Sequence, residues 1–220
     1  EVHVMIGHTH HPENYMHHNY ITRSGLPVYE HVLGAVSGAW WHTNTCTDGT
    51  PNGYAIFTVK GNSVDDFVYK PVDLDESYQM RVYNGSQKYT GSKKLTFGWP
   101  EEYHGCFIAD VFNDDAENWK VEFIQNGVAT PMTRVTKKLR DWCMFSYFIN
   151  ENGRSPKNTA YHTGKLHYWT LPAPSGNPAK EKDWEIRATY TVPTSGKVNV
   201  YTVNTLQTDF TGFPATLADE

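Results

Sequence analysis

The sequence predicts a mainly β chain that ends in an antiparallel sandwich. Three observations carry this. Apolar and polar residues alternate in short runs, clusters of Gly, Pro, Asn and Asp separate the runs, and a single stretch shows helical spacing. Short strands between frequent turn signals fit a sandwich of the immunoglobulin or fibronectin kind. At 220 residues the chain has material for one large core or two small ones.

The first run, Val4-Met5-Ile6, reads as a buried strand, ended by Gly7. His8, Thr9, His10 and His11 follow at once. In an extended segment His8 and His10 point to the same side, with α-carbons two rises of about 3.3 Å apart. Such a pair suits two metals about 3.5–4 Å apart, each with a nitrogen ligand at about 2.0–2.1 Å. A solvated histidine-rich loop is the competing reading. Pro12 to Asn14 is a turn, and Tyr15 to Thr22 is a strand or loop whose adjacent His17 and His18 diverge and read as surface imidazoles.

Val28 to Ala35 is the next strand, with Gly34 and Gly38 allowing close backbone approach. Trp40 and Trp41 read as core packing, with one ring lining a cleft as the alternative. Asp48 to Gly53 is dense in turn residues and leads into a hairpin, Tyr54 to Lys60 and Ser63 to Lys70 around Gly61-Asn62. Asp65 and Asp66 read as solvated edge charges. Tyr78 to Tyr83 alternates as a strand, and the Gly, Ser, Lys and Thr of residues 86–100 suggest a boundary between two units.

In the second unit Gly105 to Phe112 is a near-continuous apolar strand. Asp114, Asp115 and Glu117 lack the glycine and distant glutamate of a calcium loop of the EF-hand kind, and read as a solvated turn. Trp119 to Ile124 and Val128 to Val135 flank an Asn126-Gly127 hairpin turn. Leu139 to Ile149 carries the helical spacing. Lys165 to Leu171 is a strand, Trp184 to Val192 and Val198 to Val203 form a hairpin, and residues 211–220 are a polar tail.

The net charge of −5 and the short basic runs Lys93-Lys94 and Lys137-Lys138 argue against nucleic acid. No run approaches the roughly 18 apolar residues of a membrane helix, so no membrane insertion is expected. Cys46, Cys106 and Cys143 are widely spaced and read as buried structural thiols, with one bridged pair left open. There is no Gly-rich phosphate loop, no Gly-x-Ser-x-Gly and no Cys/His nucleophile pair, so no catalytic residue is assigned.

Gly7-His8-Thr9-His10 after an apolar strand resembles the Gly-His-x-His motif of the calcineurin-like metallophosphoesterases. Gly34 to Trp41, followed by Asp48 to Tyr54, resembles the end of the catalytic domain in the secreted bacterial branch with an appended carboxyl-terminal β domain. The resemblance implies that residues 1–85 are remnant strands of the catalytic core, 86–100 a linker, 101–210 the appended sandwich and 211–220 a tail. It implies two divalent ions, manganese, iron or zinc, in the intact enzyme, with His8 bound to one and His10 to the other. It also implies a phosphoester substrate, an amino-terminal part of the same protein as partner, and a periplasmic or secreted location. The family's Asp-x-His, Gly-Asp and Gly-Asn-His elements are not in this sequence, so this chain alone is expected not to hydrolyse phosphoesters. The reading from a different class is a non-catalytic module for carbohydrate or protein binding, using Trp99, Trp142, Trp169 and Trp184 as exposed aromatics.

Overall fold

The computed structural model describes residues 1–21, 23, 25–40, 43, 45–151, 153 and 164–211. In chain order the strands are β1 (Val2–Ile6), β2 (Glu13–Ile21), β3 (Pro27–Val32), β4 (Gly53–Lys60), β5 (Ser63–Pro71), β6 (Met80–Asn84), β7 (Lys88–Thr90) and β8 (Thr96–Gly98). There follow β9 (Cys106–Val111), β10 (Trp119–Gln125), β11 (Val128–Pro131), β12 (Thr133–Arg134), helix α1 (Trp142–Asn150), β13 (Tyr168–Pro172), β14 (Trp184–Thr191) and β15 (Val198–Val203).

Alternation along β6 and β9 builds the centre. Met80, Val82, Phe107, Ala109 and Val111 face one way, into a core shared with Val121 and Phe123 of β10 and Ile186 and Ala188 of β14. The Phe107 ring lies 5.0 Å from Phe123 and 4.8 Å from Trp184. Two four-stranded antiparallel sheets, ordered β12-β13-β9-β6 and β11-β10-β14-β15, therefore sit face to face. The other face of the first sheet offers Tyr83, Ile108 and Tyr168 to a second core with Cys143, Met144, Tyr147 and Phe148 of α1. Asp141 caps that helix by accepting from the Met144 N–H at 2.8 Å. The molecule is mainly β, as expected, and among the described residues one α-helix, α1, is laid on one sheet where helical spacing was expected.

Ahead of the sandwich, β1, β3 and β2 form a three-stranded sheet in that order, β1 parallel and β2 antiparallel to β3. β4 and β5 form the expected hairpin. Among the described residues no helix is long and apolar enough to cross a membrane.

Several expectations are corrected. Residues 86–100 hold the β7–β8 hairpin, with Tyr89 and Trp99 buried, and β6 from the expected first unit is an edge strand of the sandwich. The composition shift there marks a packed surface hairpin and not a linker. Val4, Met5 and Ile6 are 39, 54 and 37% exposed because β1 is the edge of its sheet. Asp114 and Asp115 are buried: Arg134 and the Trp169 indole donate to Asp114, while Tyr29 and the Asn118 N–H donate to Asp115. Asp66 is buried against Lys197 and Asn199. Trp99, Trp169 and Trp184 are core residues and Trp142 is half-buried beside Phe97 and Phe145, which removes the proposed aromatic platform. All three cysteines are free thiols, Cys106 only half-buried. Trp41 and the tail from residue 212 lie outside the described residues.

Candidate functional site

β1 and β3 run parallel, so their carboxyl ends lie side by side, with the Leu33 N–H donating to the Ile6 carbonyl at 2.8 Å. The carboxyl end of parallel strands is where loops collect functional groups. From there the chain does not continue as a strand: φ is 87° at His8 and 58° at His10. The same-side geometry expected of an extended pair therefore does not apply. Left-handed backbone at a residue with a β-carbon costs roughly 1–3 kcal/mol each and persists where neighbours enforce it.

The neighbours are identifiable. The His10 carbonyl accepts from the Thr47 N–H at 2.9 Å, and its ring stacks on Trp40 with centroids 4.5 Å apart. His10 Nδ1 lies 2.6 Å from the Gly38 carbonyl oxygen. A carbonyl can only accept, so Nδ1 carries the hydrogen and Nε2 of the neutral ring keeps the lone pair, as a metal-ligating imidazole requires. Gly38 can approach because it has no side chain: its φ is 53°, and a β-carbon would sit 2.1 Å from the Thr43 carbonyl oxygen. Trp40 is 42% exposed with φ at 52°, so it lies over His10 at the surface and outside the core.

His8 is exposed on the same loop. His17 and His18 point elsewhere, to Glu30 at 2.7 Å and to Glu117 at 2.7 Å. Among the described residues no group of three or more His, Cys, Asp or Glu side chains is placed to hold a metal ion. His8 and His10 are two potential ligands and do not form a complete centre.

Beneath the loop is a buried ionic cluster that sequence reasoning missed. His167 Nδ1 is 2.6 Å from Asp110 Oδ1, and its Nε2 is 3.4 Å from Asp48 Oδ2. Burial alone would lower the imidazole's pKa, but the charges of Asp110, Asp48 and Asp114 outweigh it and raise it to about 9. Burial holds Asp48 above the ordinary carboxylate range, with His167 and His11 pulling the other way. Beside them Asp141, also raised by burial, accepts from Tyr83 and faces Arg81. Lys165 reaches Glu13 at 2.6 Å, and against burial the bonds from His11 and Lys165 keep that carboxyl well below its usual range. Glu13, Arg134, Lys165 and His167 line an open cleft of about 200 Å³. The available signal was Asp110, an acid inside an apolar strand, which must have a partner somewhere.

A family model described as the C terminal of calcineurin-like phosphoesterase matches residues 30–193. The match starts in β3, leaves the loop of His8 and His10 outside, and runs through residues 86–100, in keeping with the continuous packing seen there. No curated protein and no solved structure matches the chain. Because the matched segment covers most of the chain, from β3 through β14, and takes in the Asp48–His167–Asp110 cluster, the chain belongs to the family defined by the carboxyl-terminal region of the calcineurin-like phosphoesterases.

Proposed function

We propose that this chain is the carboxyl-terminal part of a metal-dependent phosphoesterase and supplies His8 and His10 to a pair of divalent ions. The observation that carries the reading is His10: strained backbone, and a ring fixed by the Gly38 carbonyl at Nδ1 and by Trp40, with Nε2 as the nitrogen not engaged by that carbonyl. Strain held in place at a loop following parallel strands points toward function. When bound, such a metal pair activates water and neutralises charge on a phosphoester. The chain's own part is to orient two imidazoles, and the remaining ligands come from polypeptide amino-terminal to it.

The edge of β1 supports that partner. A parallel strand is ordinarily covered on both faces, yet Val2, Val4, Met5 and Ile6 are exposed here and one edge of β1 has no strand beside it among the described residues. Upstream strands of the same protein would cover both. A periplasmic or secreted location follows the resemblance of the sequence to the secreted bacterial branch.

An assay with an aryl phosphodiester and manganese tests the reading. The isolated chain is expected to show no turnover. The chain joined to its upstream polypeptide is expected to turn over and to lose at least about 100-fold on His8→Ala or His10→Ala. Turnover by the isolated chain, or full activity of both variants in the joined protein, would contradict it.

A further inference from the structure

We propose that His167 is a positioning residue for the histidine loop: its positive charge, held between Asp48 and Asp110, locks the 47–50 turn that fixes His10. The proposal deepens the functional reading and rests on it for its consequence at a metal site.

The geometry forms a continuous chain of contacts. Asp110 belongs to β9, in the middle of the sandwich sheet, and is fully buried. His167 bridges from it to Asp48, at 2.6 and 3.4 Å. Asp48 is held in its turn by the Thr50 N–H and hydroxyl, each at 3.1 Å. The preceding residue, Thr47, donates its N–H to the His10 carbonyl and its hydroxyl lies 3.1 Å from His11 Nδ1. The next residue, Gly49, gives its carbonyl to Arg81, and with φ at 100° it packs against Asp141 so closely that a β-carbon would lie 2.9 Å from that side chain. The sandwich thus grips one face of the turn, and the turn grips His10.

Within this grip the charges are unevenly balanced. Facing His167 are Asp48 from the turn, Asp110 from β9 and Asp114 from the turn after it, the last already neutralised by Arg134. Tyr168 stacks on the ring at 4.6 Å, and the Lys165–Glu13 pair lies across the cleft. Arg81 faces Asp141 and stays charged throughout. Neutral His167 would leave Asp48 and Asp110 as buried carboxylates without their shared cation, a costly state. Because the folded pKa lies above the ordinary value of 6.5, at about 9, the cation is in place at neutral pH and the lock opens as pH rises through 9.

The test uses the full 220-residue chain with labelled imidazole rings, following carbon-bound ring protons by NMR from pH 7.5 to 10. His167 is expected to titrate near pH 9. The His10 ring signal, displaced by its stack on Trp40, is expected to lose that displacement over the same range. In His167→Gln the His10 step vanishes and the signal stays at its high-pH position throughout. A His10 signal that is flat while His167 titrates, or that is unchanged by the substitution, would overturn the proposal. If the variant does not fold, the wild-type titration decides alone. A manganese titration run alongside separates the two readings: no broadening at His8 and His10 overturns the metal assignment, while the His10 step still upholds the lock.

Discussion

Gly38 takes a left-handed turn directly beside the Thr43 carbonyl, and the Gly38 carbonyl sets the tautomer of His10. Gly38→Ala should therefore cost more than the roughly 1 kcal/mol of a conformational preference, because the new β-carbon meets backbone that cannot swing away. Urea unfolding measures it; a variant as stable as the parent would show that the loop adjusts freely. His167 titrates in a buried site. Its ordinary value of 6.5 is raised to about 9, equivalent to about 3 kcal/mol of stability. That stability is fully present below pH 6.5 and lost as pH rises through 9. Unfolding free energies at pH 6.5 and 9.5 should differ by about this amount, and equal values would contradict the charged, buried imidazole. Little of this was legible in the sequence. The Gly-His-Thr-His spacing pointed to His8 and His10, but an isolated histidine between Leu166 and Tyr168 does not announce partners at Asp48 and Asp110.

At the scale of elements, strands could be read because alternation and turn chemistry are local. The Gly61-Asn62 and Asn126-Gly127 turns lie between paired strands as expected, and the helical spacing over 139–149 became α1. Burial could not be read, because it is set by what folds over a segment. Asp114 and Asp115 have the composition of a solvated turn, yet Tyr29, Arg134 and Trp169 converge on them from distant strands. Val4-Met5-Ile6 has the composition of a buried strand, yet it lies at a sheet edge. Asp141→Ala removes the cap of α1, worth about 1 kcal/mol, and leaves the buried Tyr83 hydroxyl without its acceptor, about 1–3 kcal/mol more. Thermal unfolding should show the loss, and an unchanged midpoint would mean the cap is dispensable. On the free side of β1, hydrogen exchange should be fast in the isolated chain and slowed when upstream polypeptide is present. Equal exchange in both would leave that edge without the proposed cover.

Across the whole molecule, one sheet is shared by two cores, and the loop bearing His8 and His10 is fastened to that sheet through the 47–50 turn. The β-rich architecture and the family were legible from sequence; the seam was not, since β6 crosses from the expected catalytic remnant into the sandwich. Under the proposed function, this fastening would let the sandwich help to orient His10, and Trp99, Trp169 and Trp184 are committed to its core. Manganese added to the 220-residue chain, with imidazole resonances followed by NMR at pH 7.5, tests whether His8 and His10 take a metal ion. Paramagnetic broadening is expected to centre on the rings of His8 and His10 and to be abolished there by His10→Ala. Broadening centred on His17 or His18, or none at any histidine, would contradict it.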